Sequence, residues 1–305
     1  MNFKEQLQSW RELVDATIDR TLPPATTQPS LIHEAMRYAV LGGGKRLRPI
    51  LAIAAAEACG AATLRDGDPL LVPFGALELI HTYSLVHDDL PSLDNDDYRR
   101  GRKTTHIVYG EAMAILVGDA LLTEAFAWLA KPLSGVDGTR QLRAIAEVAT
   151  AVDSTGMIGG QVADIVAERS HEKSDDRDAL LRELQFIHRN KTGKLFTASA
   201  MLGGLLANAT ETQLTALRNY ADALGLAFQI VDDLLDIEES SATLGKTAGK
   251  DVAQGKLTWP ALLGIDSARA EVDRLLGEAL KNADIIAGPV NTLAPIARYI
   301  CERRS

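Results

Sequence analysis

Apolar residues recur three and four positions apart along almost the whole of this 305-residue chain, and that spacing belongs to helices. No convincing alternating run and no hairpin turn signature competes with it. The period predicts helices over 2–20, 30–41, 46–60, 69–90, 111–130, 138–154, 157–168, 178–206, 211–238, 257–283 and 290–303. The breaks between them carry turn chemistry: Pro23-Pro24, Gly42-Gly43-Gly44, Asp66-Gly67-Asp68-Pro69, Pro91, Ser134-Gly135 and Gly245 to Gly255. No linker rich in Pro, Gly or Ser divides the chain, and no solenoid-type repeat stands out. The expected fold is all-α: one domain over residues 1–305, a single large helical bundle around a central cavity.

Charge and cysteine content narrow the function classes. A net charge of −9 argues against a nucleic-acid partner, which would need a broad basic surface. Cys59 and Cys301 supply neither a disulfide framework nor zinc spacing. The first residues lack the apolar core of a signal peptide, and no run approaches the ~20 apolar residues of a membrane span. A cytoplasmic protein without a membrane span is expected.

Two acidic runs suit metal chemistry. His81 to Gly101 ends an apolar approach with five aspartates between Asp88 and Asp97, followed by Arg99 and Arg100. Aspartates at a helix mouth suit Mg2+, which takes a few carboxylates and keeps waters or phosphate oxygens. Leu77, His81, Ser84 and Asp88 share one helical stripe, so His81 is expected to face the cavity that Asp88 faces. An unbroken helix cannot aim Asp88 and Asp94 at one ion, so Pro91 is expected to bring Asp94 round. Far downstream, Gln229, Asp232, Asp233 and Asp236 stand at i, i+3, i+4 and i+7 and predict one polar face. Carboxylates so close repel one another unless a cation sits among them.

Basic segments complement these runs. Gly42 to Gly44 allow close backbone approach to a ligand, and Lys45, Arg46 and Arg48 put positive charge beside it. The spacing is not that of a nucleotide P-loop. Gly156 to Asp164 places small residues where a helix passes close to something, with helix packing and ligand contact equally served. His188 to Lys194 interrupts a helix and points Lys191 and Thr192 inward, with Gly193 freeing a carbonyl. The Gly245 to Gly255 loop carries Lys246 and leads to Lys256, which fits a lid over metal-bound phosphate. Acid clusters for divalent ions, a second anion site and oily helical walls together call for a substrate with a phosphate head and a hydrocarbon tail.

These residues resemble the trans-isoprenyl diphosphate synthase family, in particular the bacterial farnesyl diphosphate synthase type. Asp88, Asp89, Asp94, Arg99, Arg100 and Gly101 match its first aspartate-rich motif; Asp232, Asp233 and Asp236 match its second. The Gly-Gly-Lys-Arg-x-Arg-Pro, Gly-Gly-Gln, Lys-Thr-Gly and Gly-Lys segments follow in the same order, over roughly residues 30–265. The resemblance implies the isoprenoid synthase fold and an allylic diphosphate held between the two motifs by three Mg2+, with Mn2+ as a substitute. Asp88 and Asp94 would hold two ions and Asp232 the third, supported by Asp89, Asp233 and Asp236.

Arg99, Lys191 and Lys246 would grip the allylic diphosphate, dimethylallyl or geranyl, with Lys256 among the binding residues. Isopentenyl diphosphate would occupy a metal-free site of Lys45, Arg48, His81 and Arg100. Thr192 and Gln229 would steady the allylic cation. Tyr83, five residues and about 7.5 Å before Asp88, would floor the tail pocket with Ser84 and stop growth at fifteen carbons. A homodimer is implied. The rivals are a geranyl or geranylgeranyl diphosphate synthase, a terpene cyclase, a metal phosphohydrolase and a non-catalytic partner subunit.

Overall fold

A computed structural model describes residues 2–169, 176–242, 257–286 and 291–303. The elements are α1 (Phe3–Thr21), α2 (Ser30–Val40), α3 (Leu47–Ala58), α4 (Leu71–Asp88), a hairpin of β1 (Tyr98–Arg99) and β2 (Arg102–Lys103), α5 (Thr105–Tyr109), α6 (Glu111–Leu129), α7 (Gly138–Val152), α8 (Met157–Arg169), α9 (Arg177–Ile187), a π-helical turn (His188–Gly193), α10 (Lys194–Leu206), α11 (Glu211–Ala242), α12 (Trp259–Leu263), α13 (Ile265–Ile285) and α14 (Leu293–Cys301).

The helices follow the apolar period closely, with four differences, the first being the short α5, which no predicted helix covered. The hairpin was not expected: Tyr98 pairs with Lys103 and Arg99 with Arg102, too short a ladder to leave an alternating pattern. The 178–206 stretch is parted by the π turn, and 257–283 divides at Gly264, whose φ of +88° a helix cannot continue through. The chain forms two compact units, Met1–Ile53 with Ala61–Ile145, and Ala54–Gly60 with Ala146–Ser305. Two of the three divisions fall inside helices, α3 and α7, and the third follows the end of α3 at Gly60.

In the first unit α4 is the core helix. Leu71, Phe74, Leu77, Leu79, Ile80, Tyr83 and Val86 are buried on every side of it, as a helix without a polar face requires. It packs against α6, α1 and α2. A capping box starts α1: Asn2 accepts from the Glu5 amide and Glu5 reaches back to the Asn2 amide. From α1, Trp10, Val14 and Ile18 go fully into the core. Each such large apolar side chain contributes about 1.5–3 kcal/mol on burial.

Helix α6 corrects the sequence reading on one point. By length and composition it could cross a membrane, because its few charges are spread along 19 residues. Part of its apolar content lies in the core of this unit: Ala114, Val117, Leu121, Ala125 and Trp128 are buried, while Ile115 and Leu116 stay exposed.

The second unit is built on α10 and α11. Leu195 to Leu206 is buried without a break. Helix α11 packs against α10, α13, α14 and the π turn. Gly160 of α8 lies so close to the π turn that an added Cβ would fall 2.2 Å from the Lys191 nitrogen. Helix packing thus accounts for this glycine.

Candidate active site

In the first unit the candidate residues cluster around the end of α4. The helix stops at Asp88, and the chain folds back before Pro91 has gone far: the Asp94 amide donates to the Asp88 carbonyl at 2.8 Å, and Asp96 to that of Asp89 at 3.2 Å. Asn95 takes a positive φ of 52° to make this turn. Asp94 is therefore brought round to Asp88, as the break at Pro91 demanded. The negative end of the α4 dipole adds to the attraction for a cation.

Asp89 has a different role from its neighbour. It is buried, and its Oδ1 accepts from Arg99 Nε at 2.7 Å. Burial raises its pKa, Arg99 opposes that rise, and Asp96 and Asp94 add to it. Arg99, expected to grip a diphosphate, is here committed to Asp89.

The basic cluster lies in the same unit. Arg100 occupies the hairpin turn at a φ of +53°, followed by Gly101 at +75°, and its Nη1 donates to the Gly43 carbonyl. Gly44 permits this: a Cβ there would stand 2.3 Å from Arg100 Nη1. His81 feels the cluster. Burial first, then Arg48, Arg100, Arg99 and Arg46, hold its pKa well below the ordinary value, so the ring is neutral. Lys45 is exposed and Arg48 half-buried. Arg46, one of the three cations expected beside the glycines, is not available to a ligand. It is 2% exposed, with Nη1 2.8 Å from Glu78, Nε 2.7 Å from Asp15 and Nη2 2.8 Å from the Val40 carbonyl. Burial opposes its charge, and Glu78 with Asp15 more than offset that.

Tyr83 is 6% exposed, and its hydroxyl is buried without a hydrogen-bond partner. Burial, then Asp88, push its pKa up to about 12. Its ring meets His87 edge-on at 5.9 Å, and His87 Nε2 donates to the Ile115 carbonyl at 3.1 Å. Ser84 donates to the His81 carbonyl at 3.0 Å, a bond internal to α4.

The second unit holds the other candidates. Thr192 Oγ1 donates to Gln229 Oε1 at 2.9 Å, so these two meet as expected. Lys191 Nζ lies 2.6 Å from Asp164 Oδ2, a partner for which the sequence offered no sign. The Gly193 carbonyl itself accepts from Thr197 Oγ1 at 3.2 Å.

The three aspartates of α11 do not form the common face expected of them. Asp232 pairs with Arg303, which also stacks on Phe228 at 4.0 Å. Asp233 is turned inward, 5% exposed. Asp236 keeps a buried Oδ2 with no hydrogen-bond partner. A residue advances about 100° around a helix, so Asp232 and Asp233 must diverge. Among the described residues no three carboxylates, histidines or cysteines converge tightly enough to hold an ion by themselves. The donors still fit Mg2+, which takes one or two carboxylates together with substrate phosphate oxygens. Asp88 and Asp94 at a helix C-terminus and the orphaned oxygen of Asp236 are of that kind. Lys246 and Lys256 lie outside the described residues.

Comparisons with known proteins agree on one family. A family model described as polyprenyl synthetase matches residues 29–291. The large subunit 1 of a heterodimeric chloroplastic geranylgeranyl pyrophosphate synthase from Arabidopsis thaliana is 43% identical, over 100% of this chain and 80% of its own length. A dimethylallyltranstransferase from Fischerella ambigua is 43% identical, over 99% of this chain and 84% of its own. Among solved structures, an FPP/GFPP synthase from Zymomonas mobilis superposes with a TM-score of 0.84 at 35% identity, covering 98% of this chain and 100% of that one.

Proposed function

This chain belongs to the polyprenyl synthetase family and is a prenyltransferase of the all-α isoprenoid synthase fold, and on that premise we propose that it makes farnesyl diphosphate from isopentenyl diphosphate and dimethylallyl, then geranyl, diphosphate. Three Mg2+ are expected; Asp88 and Asp94 of the first unit, and Asp232 and Asp236 of the second, would supply carboxylate oxygens to them. When bound, the metal withdraws charge from the departing diphosphate. The protein residues do the rest.

Arg48, Arg100 and Lys45 form a site for a second diphosphate that needs no metal, and neutral His81 adds a donor without adding charge. Lys191, oriented by Asp164, neutralises the leaving group as the allylic C–O bond breaks. Thr192 and Gln229 present oxygen dipoles to the allylic cation. The isopentenyl double bond attacks C1 of that cation, and the proton lost afterwards goes to the departed diphosphate. Apolar walls keep water from quenching the cation.

The observation that carries the farnesyl reading is Tyr83, a buried aromatic ring 1.4 turns before Asp88 by helix geometry, where a bulky side chain would floor the tail pocket. A geranylgeranyl product is the second reading, favoured by the names of the plant relatives. Incubation with Mg2+, isopentenyl diphosphate and dimethylallyl or geranyl diphosphate, followed by separation by chain length, decides between them. A fifteen-carbon product that disappears with EDTA supports the proposal. A twenty-carbon product keeps the chemistry and overturns the role of Tyr83, and no elongation overturns both. A cytoplasmic homodimer is part of the proposal, with exposed Ile115 and Leu116 of α6 supporting an apolar contact between copies.

A further inference from the structure

We propose that Asp233 is a positioning residue: a buried tether that holds the start of α12 to the aspartate helix, packed beside His188 of the π turn, and not a metal ligand. The inference rests on the reading of α11 as a metal-bearing helix. Within one motif, two adjacent carboxylates have opposite environments. The Asp232 side chain is 40% exposed, while that of Asp233 is 6% exposed. A ligand that shares an ion with substrate phosphate must lie at the surface of its unit; Asp232 lies there, paired with Arg303, and Asp233 faces the interior.

The inner partners of Asp233 come from two other elements. Its Oδ2 accepts the backbone N–H of Trp259 at 2.9 Å, and His188 Nε2 stands 3.7 Å from the same oxygen. Trp259 and His188 are themselves buried, at 3% and 5% exposure. The Trp259 amide is one of the first N–H groups of α12, which no intrahelical carbonyl can serve. Thr258 caps the same helix end through its hydroxyl, to Ala261 at 3.4 Å.

One carboxylate thus links two segments by a hydrogen bond and lies against a third. Helix α11 carries Gln229, Asp232 and Asp236. The π turn carries Lys191 and Thr192, three and four residues beyond His188. Trp259 stands three residues after Lys256. Turned into the protein, Asp233 holds these segments in register, so that its outward neighbours present their charges together. Its effect on turnover runs through them.

The test separates tethering from metal ligation. Backbone amide exchange at Trp259 is measured in metal-free protein, and kcat and the Mg2+ concentration for half activity are measured in the same variants. Asp233→Ala is expected to speed Trp259 exchange about tenfold, the loss of one buried hydrogen bond, and to lower kcat without moving the Mg2+ midpoint. Asp233→Asn retains an acceptor oxygen, so it restores the protection and recovers part of the lost kcat. Asp232→Asn moves the Mg2+ midpoint upward and leaves Trp259 exchange as in the unmodified protein. Should Asp233→Ala not fold, Asp233→Asn still decides. A Mg2+ midpoint raised as far as in Asp232→Asn, or Trp259 exchange unchanged in Asp233→Ala, overturns the proposal. The exchange arm needs no activity, so a wrong tether and a wrong enzyme reading fail separately.

Discussion

Truncating Tyr83 is expected to lengthen the product. The side chain is 6% exposed and its ring leans on His87, so Tyr83→Ala opens a space the neighbours only partly refill. One further isoprene unit buries five carbons, worth about 4 kcal/mol at ~0.8 kcal/mol each. That sets an upper limit of ~10³ on the rise in kcat/KM for farnesyl diphosphate as the allylic substrate. The same truncation costs about 3–5 kcal/mol of stability, so folding is checked first by circular dichroism. Tyr83→Phe is the control. It removes a hydroxyl that has no partner and stays protonated, with a pKa near 12, and it keeps the ring. Its product should be unchanged and its stability equal or higher. Products are separated by chain length, and kcat/KM for farnesyl diphosphate is measured alongside. A folded Tyr83→Ala enzyme with an unchanged product and no gain on farnesyl diphosphate would refute the reasoning.

Other perturbations bear on separate parts of the molecule. Glu78→Ala leaves Arg46 buried with only the half-exposed Asp15, and should lower stability by about 3 kcal/mol in urea denaturation; a loss under about 1 kcal/mol would show the pair to be dispensable. Gly44→Ala drives a methyl group into Arg100 at a φ of +150°, so the KM for isopentenyl diphosphate should rise about tenfold with the allylic KM little changed; equal rises would place Arg100 elsewhere. Acid should destabilise the fold through His188, whose pKa burial lowers to about 4. The unfolded chain protonates this residue near pH 6.5 while the folded one does not. Its contribution is therefore complete above that pH and falls by about 3 kcal/mol as the pH drops to 4. His81 works in the same direction. Urea midpoints at pH 7, 5 and 4 test this, and a His188→Phe variant should show a shallower slope.

Much of the cluster around the end of α4 was legible because its determinants are local. The apolar period marked α4, Pro91 marked its end, and the fold-back of Asp94 onto Asp88 follows from a chain that must turn at once. The Thr192–Gln229 pair is another matter: the two lie 37 positions apart, and their meeting was anticipated through family resemblance, not spacing. The hairpin that presents Arg100 was missed because two-residue strands carry no period. The inward turn of Asp233 was missed because helical spacing groups i+3 with i+4 while a side chain can still rotate out of the common face.

The sequence by itself determined the helical class, the family and the residue types of the chemistry, since apolar period and motif order are properties of the chain alone. Which charges remain open to a ligand was decided only by the tertiary structure. Arg46 and Arg48 are two residues apart on the chain, yet one is committed to Glu78 and Asp15 while the other stands by His81. Asp232 and Asp233 are adjacent, yet one faces outward and the other accepts the Trp259 amide. A charge is pulled inward when a partner from a distant segment compensates its desolvation, and such partners are supplied only by the packed fold.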